Sequence, residues 1–313
     1  MHMRTRKLAL AEGAIAGVLF GTAAILVRFL QGLDAFSIAF WRLTIACIAL
    51  ATILILLRKS FHFGLVRSNL KEFFVLSVFL ALHFIFFISA VKDTTILNAT
   101  VLVNATPIFS MFVSSLLFKI KPSRVAIIGL AISFTGVCLI AYAENASANG
   151  NRYQRGYSPN LKGDLEAVLA AIVEAFYLNY GRKIRKQMSL LSAMLPVYLL
   201  TAIVVGVLSL PVGDNVLMLP IDMGIVLPLL ALGLLPTAIA HTLYFSSLSH
   251  LKSFETASMA LLEPIGATIL GISLFQEVPA QLFVFGASLT LTGIFFVAKG
   301  ERREKFERDP KEV

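Results

Sequence analysis

Charge is what this chain lacks. Of its 313 residues only 14% are Asp, Glu, Lys or Arg, while 58% are hydrophobic; soluble domains average about 25% charged and roughly 45–50% apolar. The deficit excludes an ordinary water-soluble globule, and the apolar excess excludes a disordered chain, which needs the opposite balance. Cysteine is scarce too: Cys47 and Cys138 both sit inside apolar stretches. They cannot form a metal cluster alone, nothing around them suggests a disulfide framework, and they read as buried structural thiols. A phosphate-binding G-x-x-x-x-G-K-[ST] loop is missing, which argues against an ATP-driven pump. So are G-x-S-x-G, H-E-x-x-H and paired Asp-rich motifs, which argues against a hydrolase, a protease or a prenyl-transfer enzyme. No enzyme activity, metal or cofactor is expected.

What is present is a series of long apolar runs. A helix needs roughly 20 apolar residues to cross a hydrocarbon core about 30 Å thick. Ten runs qualify: 8–30, 36–57, 73–91, 95–118, 124–143, 163–180, 189–211, 224–248, 254–275 and 279–298. They are continuous rather than alternating, which rejects a β-barrel. The first follows Arg4, Arg6 and Lys7 but extends past the apolar length of a signal peptide, so it is expected to be retained as the first span. The chain carries 27 Lys and Arg against 18 Asp and Glu, a net charge of +9. In a soluble protein that excess would suggest nucleic acid; here it sets orientation. With the N-terminus in the cytoplasm, 21 basic residues fall inside and five outside (Arg28, Lys92, Arg152, Arg155 and Lys162), and Arg42 lies within a span. The bias predicts a multi-pass protein of the plasma (inner) membrane with both termini cytoplasmic and no nucleic-acid partner.

The chain also repeats itself. At a constant offset of 157, Pro107 matches Pro264, Phe118 matches Phe275, Pro122 matches Pro279, Gly129 matches Gly286 and Gly136 matches Gly293. At an offset of 150, Gly13, Gly17 and Gly21 match Gly163, Ala167 and Ala171, two ladders of small residues that let helices approach closely in lipid. Each half has five spans, an odd number, so the second half enters the membrane from the opposite side. The turn after the fourth span carries Lys119, Lys121 and Arg124, whereas the turn after the ninth carries Gln276 and Glu277. The expected fold is therefore all-α and integral to the membrane, ten transmembrane helices as two inverted five-helix repeats. Its divisions are a first repeat over 1–143, an external linker over 144–162, a second repeat over 163–298 and a charged cytoplasmic tail over 299–313. Inverted repeats are a mark of secondary transporters, whose sites lie at the repeat interface near the midplane.

Phe40-Trp41-Arg42 in the second span, Leu262-Glu263-Pro264 in the ninth, the Leu274-Phe275-Gln276-Glu277 turn and the Gly129/Gly136 and Gly286/Gly293 spacings complete the pattern. With it, residues 8–298 resemble the drug/metabolite transporter superfamily, EamA type. The Lys119-Ile120 region departs from that family, in which an acid often ends the fourth span. The resemblance implies export or exchange of small organic metabolites, commonly amino acids or related compounds.

Ionisable groups at mid-membrane cost about 2.5–3.5 kcal/mol on insertion scales, so each needs a partner, a wet cavity or a function. Glu174, with Tyr177 one turn on, could bind a substrate amine or a proton, or could be a structural acid paired to Arg42 or to another helix. Glu263 stands immediately before Pro264, where a bent helix frees carbonyls; it could meet substrate or a proton, or tie its own loosened backbone. Arg42 is either a counter-ion for a carboxylate or snorkels to the interface, and its neighbour Trp41 reads as an interfacial anchor. His83 and His241 are proton-relay candidates or neutral packing residues, and Tyr244 shares a helix face with His241. Asn98 and Asn104 could bind polar groups of a substrate or link helices. Asp164 and Glu166 are expected to be solvated at the outer mouth, or at most to attract cations there. Gly233 and Pro236 in the eighth span and Pro196 in the seventh are hinges or static kinks, and Asn145-Ala-Ser is a weak glycosylation signal in an external loop. The candidate substrate-binding set is thus Arg42, His83, Asn104, Glu174, Tyr177, His241, Tyr244 and Glu263. The expected partners are a small-molecule substrate, the lipid bilayer, protons for coupling and a second copy in a homodimer. The competing reading is a membrane-embedded enzyme using the same acids and histidines on a lipid.

Overall fold

The computed structural model describes residues 5–58, 61–147, 159–211, 222–275 and 281–308, and of these the side chains of 144–147, 271, 273–275 and 302–308 are not considered. Among the described residues every regular element is helical: α1 (Arg6–Phe20), α2 (Ala23–Phe29), α3 (Ala35–Leu56), α4 (Phe63–Ser68), α5 (Leu70–Asp93), α6 (Ile96–Val103), α7 (Thr106–Leu116), α8 (Arg124–Ser147), α9 (Leu161–Gln187), α10 (Leu190–Ser209), α11 (Met223–Leu232), a π-helix (Gly233–His241), α12 (Thr242–Ser247), α13 (Ser253–Met259), a 3-10 turn (Ala260–Leu262), α14 (Glu263–Phe275) and α15 (Gln281–Arg308). Polar residues outside the apolar runs start several of them. Asp34 accepts from the Phe36 and Ser37 amides at the head of α3, and Thr95, Asn160 and Asp222 cap α6, α9 and α11 in the same way. Large apolar side chains such as Ile48, Phe112, Ile128, Leu199 and Phe295 point outward on several helices. In water that surface would be untenable, and in a bilayer it is the solvated face.

Eight helical stretches are long and apolar enough to cross a membrane. The sixth and ninth expected spans are not among them. In α9, Asp164, Glu166, Glu174, Arg182 and Lys183 leave no window of 18 residues with two or fewer charges. The two helical stretches that fall short are those that carry Glu174 and Glu263. The fifth and tenth spans also run on beyond their expected ends, α8 to Ser147 and α15 to Arg308. Asn145-Ala-Ser, Arg152, Arg155, Gln276, Glu277 and Pro279 lie outside the described residues or side chains.

The inverted relation of the halves is visible where the fifth and tenth spans meet. A Cβ on Gly129 would lie 2.7 Å from the Gly293 carbonyl, and one on Gly136 would lie 2.6 Å from the Gly286 carbonyl. The pairing runs in opposite senses along the two helices, so α8 and α15 are antiparallel. Between these contacts Ser133 Oγ donates to the Thr290 carbonyl at 3.1 Å, and 133 and 290 are again 157 apart. The first spans are used equivalently. α1 packs on α13 and α14, and α9 packs on α6 and α7, so each repeat's first span lies against the other's fourth.

Four spans are broken part-way along their length. The first breaks at Gly21–Thr22, the fourth at Asn104–Ala105, the eighth at the π-helix and the ninth at the 3-10 turn. The fourth and ninth break at equivalent positions, each just ahead of a proline, Pro107 or Pro264. A proline offers no amide to the carbonyl four residues back. In the fourth span the Val103 carbonyl accepts from Thr106 Oγ1 instead, at 2.7 Å. Gly21 lets the break in the first span nest against the ninth, since a Cβ there would lie 2.6 Å from the Glu263 carbonyl.

A polar cavity where broken helices meet

The breaks converge on one cavity of about 40 Å3, bordered by Phe20 and Ala23 of the first span, Asn104 of the fourth and Ala260 and Glu263 of the ninth. Arg42, His83, Glu174 and His241 complete its polar wall. Six of the eight candidate residues thus line a single space, drawn from both repeats. The other two stand behind it. Tyr177 is fully buried, its hydroxyl 3.9 Å from Met194 Sδ. Tyr244 sits edge-on to Phe20 with ring centres 5.1 Å apart.

Each acid is held by a neutral group from the fourth span. Glu174 Oε2 accepts from Thr106 Oγ1 at 3.1 Å, and Glu263 Oε2 accepts from Asn104 Nδ2 at 3.0 Å. Thr106 occupies in the first repeat the position that Glu263 occupies in the second. His83 Nδ1 lies 3.1 Å from the Ala170 carbonyl and 3.7 Å from Glu174. Its ring is 5.9 Å from that of His241, the histidine contributed by the third span of the other repeat.

Arg42 does not snorkel. It is 1% exposed, donates from Nε to Thr237 Oγ1 at 2.9 Å and stacks over Phe84, 4.1 Å from the ring centre. Nor is it paired with Glu174: no ion pair among the described residues includes it. Among the described residues, Arg42 Nη1, His241 Nδ1, Asn104 Oδ1 and Tyr244 Oη are buried without a hydrogen-bond partner. Desolvated polar atoms are costly when left unmatched. Three of them belong to residues that line the cavity and the fourth, on Tyr244, stands behind it, which marks a place suited to a polar solute.

Several residues elsewhere differ from expectation. Trp41 meets Phe40 edge-on and buries its indole Nε1 without a partner, unlike an interfacial anchor whose N–H reaches the headgroups. Asp164 is not merely solvated: it accepts from Thr94 Oγ1 at 2.9 Å and from Asn98 Nδ2 at 3.2 Å, so Asn98 links helices. Glu166 is only 16% exposed and buries Oε2. Beside them Lys162 donates to Asp93 at 2.6 Å, and that bond holds the lysine above its ordinary pKa. Pro196 lies inside an uninterrupted α10, whereas Pro236 lies inside the π-helix. Thr106, Thr237, Phe84 and Phe20 complete the site without having been singled out. For the first two, the usable signal was a hydroxyl beside a mid-span proline.

The comparisons agree with this architecture. A model of the EamA-like transporter family matches residues 8–142 and 161–299. The mouse protein named Solute carrier family 35 member G1 is 26% identical over 207 residues, covering 63% of this chain and 55% of its own. The match therefore spans about half the length of that curated relative. A solved crystal structure, described only as that of a protein, superposes with a TM-score of 0.76 at 17% identity, covering 96% of this chain and all of the other. That likeness carries the fold.

Proposed function

The chain belongs to the EamA-like transporter family, and we propose that it is a secondary transporter moving a small organic metabolite, an amino acid or related compound, by alternating access around the central cavity. One observation carries this reading. Buried acids, a buried arginine and two histidines from both repeats surround one cavity at the point where four spans break. Discontinuous helices at a repeat interface are the usual setting of transporter sites, because irregular backbone at membrane depth is tolerated only where it is buried in protein or lines a cavity. Glu174 and Glu263 suit a substrate ammonium or a proton, and Arg42 suits a carboxylate.

A space of about 40 Å3 holds little more than one or two waters. A metabolite is larger than that, so its entry calls for helices to part on one side, the kind of motion that alternating access uses. The basic residues on the N-terminal side support cytoplasmic termini in the plasma membrane, and membership of the family supports export or exchange as the direction of net movement.

Transport by the chain in reconstituted liposomes tests the reading, with the solute first identified by comparing metabolites across cells with and without the protein. Chemically unchanged solute should cross, and Glu174→Gln and Glu263→Gln should each lower the rate or flatten its pH dependence. Full transport with an unaltered pH profile in both variants would remove the acids from the mechanism. A chemically altered product would favour an enzyme.

A further inference from the structure

Pro236 has no amide to offer the Leu232 carbonyl four residues back, in the middle of the eighth span. In the wider i to i+5 turn that carbonyl faces Thr237 and also accepts from Thr237 Oγ1 at 2.6 Å. That bond uses the threonine's only hydroxyl proton, so its oxygen is left to accept, and it does so from Arg42 Nε at 2.9 Å. The Thr237 carbonyl in turn accepts from Tyr198 Oη at 2.9 Å, and Tyr198 Oη lies 3.1 Å from Thr242 Oγ1. Thr237 and Tyr198 are fully buried, so water does not compete for these bonds. Gly233 lets α3 press against the turn: a Cβ there would lie 2.6 Å from Ile45 Cβ and 3.2 Å from the Arg42 carbonyl. Held by Thr237 on one edge and by the Phe84 ring across its face, the guanidinium has little freedom, and its Nη1 is left without a protein partner at the cavity.

A buried guanidinium without a carboxylate is a costly arrangement unless something anionic joins it. Glu174 and Glu263 line the same cavity but are bonded to Thr106 and Asn104. Two resident carboxylates disfavour a dianion and suit a monocarboxylate that carries its own ammonium.

We propose that Thr237 and Tyr198 are positioning residues that aim Arg42 Nη1 at the carboxylate of a bound zwitterion, making the π-helical turn of the eighth span the element that selects for that carboxylate. The proposal rests on the reading of the cavity as the substrate site. Thr237→Val removes the hydroxyl with little change of shape, Thr237→Ser keeps it, and Tyr198→Phe removes the second tie.

Two measurements on the full chain in detergent test it. Side-chain nitrogen NMR of labelled arginine, with Arg42→Lys identifying the signal, reports the Nε–H bond directly. Fluorescence of Trp41, the only tryptophan and the neighbour of Arg42, reports binding of L-leucine and of isoamylamine, the same molecule without its carboxylate. In Thr237→Val the Arg42 signal should shift, leucine should bind about tenfold more weakly, and isoamylamine should change less than about twofold. Thr237→Ser should restore all three, and Tyr198→Phe should show a smaller leucine defect. An Arg42 signal indifferent to Thr237→Val, or equal weakening of both ligands, would overturn the positioning role while leaving the cavity as the site. A wild-type protein that binds neither probe would instead overturn the cavity reading, and the carboxylate selection with it.

Discussion

Asn104 and Glu263 come from different repeats and form a direct polar link at the cavity. The amide donates to Glu263 Oε2 at 3.0 Å and to the Thr100 carbonyl at 2.8 Å, so both of its protons are in use. Asn104→Leu would strand a carboxylate that is 6% exposed. Leaving a buried acceptor unmatched costs about 1–3 kcal/mol, and more when it is charged. With Glu263→Met in the background, the same substitution should cost much less, because nothing is left to strand. A double-mutant cycle on unfolding in detergent should therefore give a coupling of about 0.5–3 kcal/mol, and additive losses would mean that the two side chains act independently. The residues of the site were legible because charge is so scarce that each intramembrane ionisable group stands out. What they touch was not. Thr106 and Glu174 are 68 positions apart and Arg42 and Thr237 are 195 apart, and no local pattern records such pairings. Tyr177 misleads for a related reason: a helix face is readable from spacing, but whether that face turns to a cavity or to a neighbouring helix depends on packing.

At the level of elements, the apolar runs foretell most spans, and prolines and glycines foretell where some break. They do not foretell that Pro236 yields a π-helix while Pro196 leaves α10 whole. Beside Pro236 the hydroxyl of Thr237 bonds the Leu232 carbonyl across the wider turn, whereas the residue after Pro196 is Val197, which has no hydroxyl to offer. Glycine gives the sharper test. On Gly136 a Cβ would meet the Gly286 carbonyl at 2.6 Å and the Thr290 amide nitrogen at 2.6 Å, backbone that cannot swing aside. Gly136→Ala should push α8 and α15 apart, and such overpacking costs about 1–3 kcal/mol. Gly206 is the control, since a Cβ there meets only the Phe40 ring, at 3.7 Å. Gly206→Ala should be neutral or stabilising by up to about 1 kcal/mol, because alanine loses less backbone entropy in a helix. In detergent the melting temperature should fall for Gly136→Ala and hold or rise for Gly206→Ala, and no fall for Gly136→Ala would mean that the α8–α15 seam is loose enough to absorb a methyl group.

The whole molecule is tied differently at its two ends, although the repeats are related by inversion. Asn98 and Glu255 occupy equivalent positions, 157 apart. At one end Asn98 donates to Asp164, and beside it Lys162, 68% exposed, pairs with Asp93. At the N-terminal end Glu255, 1% exposed, is paired with Arg6 and accepts from the Lys252 amide, while Lys252 pairs with the equally buried Glu301. Exposed pairs are worth about 0–1 kcal/mol, but removing one partner of a buried pair costs about 3–5 kcal/mol because the other charge is abandoned. Lys162→Met should therefore be nearly silent on unfolding, Arg6→Met strongly destabilising, and Arg6→Met with Glu255→Met should recover most of the loss. If the two ends open in turn, the double variant has a further consequence. It removes an ion pair that holds the N-terminal end closed without leaving a stranded charge, so the population open to that side should rise. A chain with Cys47 and Cys138 replaced and Ala260→Cys placed in the cavity would report it. A polar maleimide added on the N-terminal side should label the double variant faster than its parent, whereas equal labelling would make the Arg6–Glu255 pair a fastening of the fold with no part in gating.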